Sequence, residues 1–165
     1  VTLINLAPIS LEKYQVFCQT HFERNGKSLD GDVVPQLYER FEGITSYMQR
    51  TMNVLYTMTQ KGSLCTCDMI DIAIKELLDF SSDTYETLLY QMPEKQRALF
   101  VAIASAGKAK AINGSEFVRK YHLSSASSVA SAAKGLLEKD FITNDRGTYQ
   151  VYDLFFKLWL QKTRL

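Results

Sequence analysis

Ser115–Tyr152, SEFVRKYHLSSASSVASAAKGLLEKDFITNDRGTYQVY, is the stretch that decides the fold of this chain. It opens with the apolar spacing of a short helix, which we predict to end near Tyr121. A longer helix follows, because apolar residues recur at the i, i+3, i+4, i+7 and i+8 positions of one helical face. Those residues are Val129, Ala132, Ala133, Leu136 and Leu137. The hydroxyl of Ser124 or Ser125 is placed to accept a hydrogen bond from a free amide in the first turn of this helix.

Two segments rich in aromatic and β-branched residues, 141–143 and 148–152, come after the longer helix. The residues between them, Asn144–Gly147, are typical of a turn, and Gly147 adopts a positive φ without steric cost. We therefore predict a two-stranded hairpin with Arg146 at its tip. A short helix, a turn, a longer helix and a hairpin in this order are the pattern of a winged helix-turn-helix.

Helical spacing also dominates the chain before this stretch. We predict helices over Leu11–Arg24, from the turn before Pro35 to Phe41, from Ile44 to about Lys61, from about Asp68 to Tyr90 and over Glu94–Ala106. The best candidate for a domain junction is Met92-Pro93. The predicted fold class is mainly α, with a helical bundle over residues 1–92 and a winged helix-turn-helix with one small β-hairpin over residues 93–165. We expect Phe155 and Trp159, in the last helix, to be buried.

The charge of the chain is divided unevenly between its two halves. The net charge is +1, but residues 1–93 carry 7 Lys and Arg against 12 Asp and Glu, while residues 94–165 carry 12 against 6. A basic carboxyl-terminal half suits a polyanionic partner, and it is equally compatible with an ordinary solvated surface. The hydrophobic content of 46% and the charged content of 22% are typical of a globular protein.

The sequence lacks the motifs of metal sites, membrane spans and common catalytic sites. The chain has three cysteines, Cys18, Cys65 and Cys67. The single Cys-x-Cys pair at 65 and 67 has no nearby histidine and falls short of the four ligands of a typical zinc site, so we expect no metal. The odd number of cysteines and the lack of a signal peptide favour the reducing cytoplasm, and no apolar run approaches the roughly 20 residues that cross a bilayer. There is no phosphate loop and no GxSxG motif, and the two histidines, His21 and His122, fall in different predicted modules. We predict that this chain, by itself, is not an enzyme and has no membrane partner.

Several segments together resemble the carboxyl-terminal region of prokaryotic AAA+ ATPases of the origin-recognition-like and STAND-related group. The segments that resemble their winged helix are Gln96–Phe100, Ala102–Ala104, Leu123–Val129, Leu136–Lys139 and Val151–Leu160. The segment Phe41–Gln49 resembles their helical lid. The chain departs from these proteins at Thr45 and Leu154, where many of them have proline.

The resemblance implies that the chain is the lid and winged helix of a longer ATPase whose phosphate loop lies upstream of residue 1. Residues 1–92 would then be the lid-like bundle, and the partner would be the protein's own amino-terminal ATPase core. No cofactor is expected in the fragment, whereas ATP and Mg are implied for the full-length protein. The resemblance also places Gly43, Thr45, Tyr47 and Arg50 near the nucleotide. The alternative is that Gly43 only ends a helix and that Arg50 is a solvated residue.

The pattern of the winged helix indicates a surface for duplex DNA or for a protein partner. If the module binds DNA, we expect the longer helix to enter the major groove and the wing tip to approach a neighbouring minor groove or phosphate. The candidate contact residues are Lys108, Lys110, Ser125, Ser128, Ser131, Lys134 and Arg146. The helix offers serines and one lysine but no Arg, Asn or Gln, so we expect phosphate contacts more than base reading. A free-standing DNA-binding regulator and a protein-interaction module remain the alternatives.

Overall fold

The structure, a computed structural model, describes residues 8–164. Its helices and strands in the first half of the chain are α1 (Leu11–Arg24), β1 (Ser28–Leu29), α2 (Val33–Arg40), α3 (Thr45–Met58), β2 (Leu64–Cys65) and α4 (Met69–Gln91). Those in the second half are α5 (Glu94–Ala106), β3 (Ala109–Lys110), α6 (Ser115–Lys120), α7 (Ala126–Glu138), β4 (Ile142–Asp145), β5 (Thr148–Val151) and α8 (Leu154–Thr163). The predicted mainly α class with a winged helix is confirmed.

The chain forms two compact units that divide between Asp79 and Phe80, inside α4. The sequence suggests a junction at Met92-Pro93 instead. Pro93 does separate α4 from α5, but the second half of α4 already belongs to the core of the second unit. In that core the ring of Tyr85 stacks on Phe156, with the ring centroids 4.5 Å apart. The division between the two cores therefore falls inside α4, which continues through it as one helix.

The first unit is built on amphipathic helices. In α1, Tyr14, Cys18 and Phe22 follow one another at four-residue intervals and are buried. Ser10 caps this helix, since its hydroxyl accepts a hydrogen bond from the Lys13 amide. Helical spacing also predicts Val16 and Phe17 as apolar positions of α1, but both side chains are exposed.

A parallel pair of two-residue strands, β1 and β2, is an addition to the predicted fold. Each strand follows a glycine with positive φ, 72° at Gly26 and 81° at Gly62. The Gly62 amide donates a hydrogen bond of 2.7 Å to the Gly26 carbonyl, which ties the two turns together. The first unit thus repeats one arrangement, in which a helix, a glycine turn, a short strand and another helix follow in order. The sequence shows no such repeat, because the side chains of the two copies differ.

The second unit has the order of elements expected for a winged helix. Helices α5, α6 and α7 precede the β4–β5 hairpin, and β3 joins that hairpin to make an antiparallel sheet of order β3-β5-β4. The predicted inward residues of α7 lie in the core, with Leu137 half-buried. Helical spacing predicts that Ala98, Leu99, Ala102 and Ile103 of α5 face the core. The last three are buried, whereas Ala98 is exposed. The expectation for Phe155 and Trp159 is confirmed, because both are buried.

Candidate nucleic-acid interface

Helix α7 presents the serine-rich face that the sequence predicts to be its contact surface. Ser125 is the N-cap, and its Oγ accepts a hydrogen bond of 3.1 Å from the Ser128 amide. Ser125, Ser131 and Lys134 are exposed, whereas Ser128 is half-buried. A further hydroxyl bond of 3.3 Å runs from Ser124 to Ser128. The amino end of α7 is therefore a capped and ordered surface of small polar groups with one cation one helical turn beyond Ser131.

The wing ends in a two-residue turn made by Arg146 and Gly147. Both residues have positive φ, 51° and 87°, which is the geometry of a type I′ turn. The side-chain oxygen of Asn144 accepts a hydrogen bond of 2.9 Å from the Gly147 amide and fixes the turn. Arg146 is exposed at the tip, as predicted from the sequence. Its guanidinium thus projects from a rigid support.

Strand β3 brings a second cation to the wing. Lys110 lies directly across from Thr148, the first residue of β5, and is exposed. Arg146 is only two residues before Thr148, so Lys110 and Arg146 share the same end of the sheet. Asp145 pairs with Thr148 from the other side and offsets part of this positive charge. Lys108, which precedes β3, is also exposed.

Two open grooves run between α5 and α7, and the sequence gives no sign of either. The first has a volume of about 350 Å³ and is lined by the apolar side chains of Ala98, Leu99, Leu123 and Val129 together with Glu94, Lys95, His122, Ser124 and Ser128. The second, of about 410 Å³, is lined by Ser125, Ser127, Ser128, Ser131, Ala132, Pro93, Lys95 and Gln96. Three of the four α7 residues predicted to contact DNA therefore also line a groove. Lys95 and Gln96 line this groove because α5 packs against α7. No binding motif in the sequence around them predicts that they belong to it.

The residues predicted to lie near a nucleotide gather around the start of α3. Gly43 is buried with φ 72°, and its amide donates a hydrogen bond of 2.9 Å to the Tyr38 carbonyl, which ends α2. A side chain at this position would meet the Tyr38 ring at 3.0 Å. Thr45 begins α3, and Ile44 before it provides no side-chain cap. Arg50, one turn further along α3, is exposed.

The backbone of Gly43 has no free amide to offer a phosphate. The Gly43 amide already has an acceptor and the space beside Gly43 is filled, so no phosphate cradle is formed there. Within residues 8–164, no group of His, Cys, Asp and Glu side chains is arranged to hold a metal ion.

Burial raises the pKa of the Cys18 thiol to about 11 and also raises the pKa of the Cys65 thiol. Both thiols are thus protonated and poorly nucleophilic at neutral pH.

The comparison with protein families agrees with the winged helix seen in the structure. Residues 83–162 match the model of a family described as a probable winged helix domain. The match extends from the second half of α4 to α8 and so covers nearly all of the second unit. No curated protein and no solved structure gives a significant match to the chain. A winged helix is therefore supported, while the resemblance to AAA+ ATPases remains a hypothesis.

Over residues 8–164, no helix is both long enough and apolar enough to span a bilayer.

Proposed function

We propose that the winged helix of this chain contacts duplex DNA through α7 and the wing, chiefly through phosphates. The observation that carries the proposal is the pairing of β3 with β5, which sets Lys110 beside the wing tip at Arg146. These two cations are far apart in the sequence and come together only in the fold. Helix α7 supplies serine hydroxyls and Lys134 on an exposed face of the same unit.

The chemistry of this surface favours positioning on the backbone over reading of the bases. Lysine and arginine neutralise phosphates and release counterions, which makes binding salt-dependent. Serine hydroxyls donate to phosphate oxygens, whereas the bidentate pairs with guanine or adenine need Arg, Lys, Asn or Gln aimed at the base edges. The outward face of α7 offers only Lys134 for that purpose. The proposed binding is therefore mainly non-specific.

The test is a titration of fluorescent duplex DNA at several salt concentrations with wild type and with Lys110→Ala, Arg146→Asn. Asparagine is chosen because it tolerates the positive φ of position 146. If both cations contact phosphate, the slope of log K against log salt falls by about 1.8, which is about 0.9 for each lost contact. The matched control is Lys162→Ala in the last turn of α8, which removes one exposed cation outside the wing. An unaltered slope in the double variant, or no binding by wild type at low salt, would rule out the wing as a DNA contact.

A protein partner is the second candidate, and the grooves between α5 and α7 favour it. Small side chains such as serine and alanine permit the close approach of a partner helix as readily as that of a phosphate backbone. The groove lined by Ser125, Ser128 and Ser131 has a size suited to side chains of such a partner. The DNA titration separates the two candidates: a wild-type protein that fails to bind duplex DNA at low salt leaves protein contact as the better function.

We further propose that the chain is the lid and winged helix of a AAA+ ATPase, with ATP and Mg bound by a core outside this sequence. The resemblance of both halves to consecutive parts of such proteins supports this, and the chain itself is proposed to have no catalytic role. A phosphate-loop motif encoded upstream of residue 1 would support it, and its absence would favour a free-standing regulator. If Thr45 and Arg50 approach the nucleotide, then Thr45→Ala, Arg50→Ala weakens ATP binding by the full-length protein. If the affinity for ATP is unaltered, Thr45 and Arg50 do not approach the nucleotide, and this region serves only to end one helix and begin the next.

A further inference from the structure

A small cavity in the second unit lies between the end of α4, the middle of α5 and the end of α8. Its volume is about 140 Å³, and it is lined by Leu89, Tyr90, Arg97, Val101 and Arg164. Leucine and valine provide an apolar wall, while the polar lining consists of two guanidinium groups and a phenol. The cavity is separate from α7 and the wing, so it takes no part in the proposed DNA contact.

The guanidinium of Arg97 is held in place by the backbone. Its Nη2 donates a hydrogen bond of 3.1 Å to the Met92 carbonyl, just after α4 ends. Its Nε is shielded from solvent and has no hydrogen-bond partner among the described residues. The donors that Arg97 can offer to a ligand are therefore those of its Nη atoms, and their plane is fixed by the bond to Met92.

Arg164 brings the second positive charge to the cavity from the end of α8. Its Nη2 lies 2.7 Å from Oε2 of Glu86, and its Cζ lies 5.9 Å from the centroid of the Trp159 ring. The lining thus carries two guanidinium groups, of which that of Arg164 is paired with Glu86, so these three groups together have a net charge of +1. Like charges that line one cavity repel each other, and a bound anion removes that cost.

Tyr90 adds an aromatic surface at the mouth of the cavity. The residue is 72% exposed, so most of its ring is accessible to a ligand. The Cζ of Arg97 lies 5.8 Å from the centroid of the Tyr90 ring. An exposed ring beside two guanidinium groups provides a stacking surface next to an anion site.

We propose that this cavity binds a small phosphate monoester that carries a flat ring, such as a nucleoside monophosphate. The volume is below the roughly 300–1,000 Å³ of sites for drug-sized ligands, so it suits the phosphate group, with the ring outside against Tyr90. A phosphate monoester carries about −1.5 to −2 charges at pH 7, which suits two guanidinium groups better than a carboxylate does. The planar donors of arginine match phosphate oxygens in pairs.

The probe is adenosine 5′-monophosphate, titrated at constant ionic strength while the Nε–H resonances of Arg97 and Arg164 are followed by NMR. Binding is expected to shift both resonances and to strengthen between about pH 5 and 7, because the second proton leaves phosphate near pH 6. Inorganic phosphate is expected to bind roughly tenfold more weakly, since it lacks a ring to stack on Tyr90. Tyr90→Ala is expected to bring the two ligands to the same affinity.

Conservative variants keep the proposal testable without loss of folding. Arg97→Lys and Arg164→Lys retain the charge but not the planar donors, so each is expected to weaken binding by roughly tenfold. Arg119→Lys, at an exposed arginine of α6, is the matched control and is expected to change nothing. The proposal is overturned if the nucleotide shifts neither resonance at about 10 mM, if benzoate binds as tightly, or if Arg119→Lys weakens binding equally. Because the probe is a mononucleotide, none of these results depends on contact with duplex DNA.

Discussion

Trp159 anchors α8 within the second unit by packing and by one hydrogen bond. Its side chain is 2% exposed, and its ring lies 5.5 Å from Tyr85 and 6.0 Å from Phe156 between centroids. Its Nε1 donates a hydrogen bond of 3.0 Å to Oγ of Ser82. We expect Trp159→Ala to lower the free energy of unfolding by about 3–5 kcal/mol, measured in urea. Ser82→Ala, which removes only the acceptor of this hydrogen bond, should lower the free energy of unfolding by about 1–3 kcal/mol. A loss below about 1 kcal/mol for Trp159→Ala would place the indole outside the core.

Gly43 has a conformational role at the end of α2. It combines a positive φ with a site where an added Cβ would lie 3.0 Å from the Tyr38 ring. Gly43→Ala is therefore expected to destabilise the first unit by about 1–2 kcal/mol from the left-handed conformation alone. Gly31→Ala is the control, because that glycine has open space around it and no positive φ, and it should change stability by about 0.5 kcal/mol or less. Equal stability of the two variants would contradict a role for Gly43 in ending α2.

At the scale of the element, α7 depends on its N-cap. The Ser125 hydroxyl satisfies one first-turn amide that would otherwise lack an acceptor within the helix. Ser125→Ala is expected to lower the free energy of unfolding by about 1 kcal/mol. Ser131→Ala, on the same exposed face but inside the helix, should have no cost, since alanine has the higher helix propensity. If the two variants were equally stable, the hydroxyl of Ser125 would not be acting as a cap.

Elements with strong local signals were predictable from the sequence, and those with distant partners were not. The β4–β5 hairpin depends on the turn residues 144–147, which lie next to one another and specify their own conformation. Strand β3 consists of Ala109 and Lys110 alone, and it exists only because it pairs with Tyr149 and Thr148. Two residues carry no alternation of apolar and polar side chains, so nothing local distinguishes them from a loop. The β1–β2 pair escaped prediction for the same reason.

The same distinction applies to the candidate interface. The outward direction of Ser125, Ser131 and Lys134 follows from helical periodicity, and the sequence predicts it. The juxtaposition of Lys110 with Arg146 and the grooves beside Lys95 require α5, α7 and the sheet to be packed, which no local pattern encodes. Local pattern therefore identifies which side chains face outward, whereas only the fold determines which of them meet.

At the scale of the whole molecule, one long helix contributes to two separate cores. Helix α4 has buried residues on both sides of the division between Asp79 and Phe80, with Ile74 in the first unit and Leu89 in the second. The polar run Ser81-Ser82-Asp83 is compatible by sequence with either a break or a solvated turn of this helix, and the structure shows the helix continuing through it. Ser82 accepts the hydrogen bond from Trp159. A contact that stabilises the middle of a helix across 77 residues of sequence is not readable from the sequence alone.

Because each unit has its own core, we expect the two to unfold with separate free energies. Leu55 in α3 and Leu99 in α5 are both completely buried, one in each unit. Leu55→Ala should lower the amide hydrogen-exchange protection of the first unit by about 2–5 kcal/mol, and Leu99→Ala should do the same in the second. In each variant the protection of the other unit should stay within about 0.5 kcal/mol, because distant sites without shared partners act independently. Native-state hydrogen exchange by NMR resolves the two sets of amides, and each variant serves as the control for the other. An equal loss of protection in both units from either substitution would show that α4 couples them into a single cooperative fold.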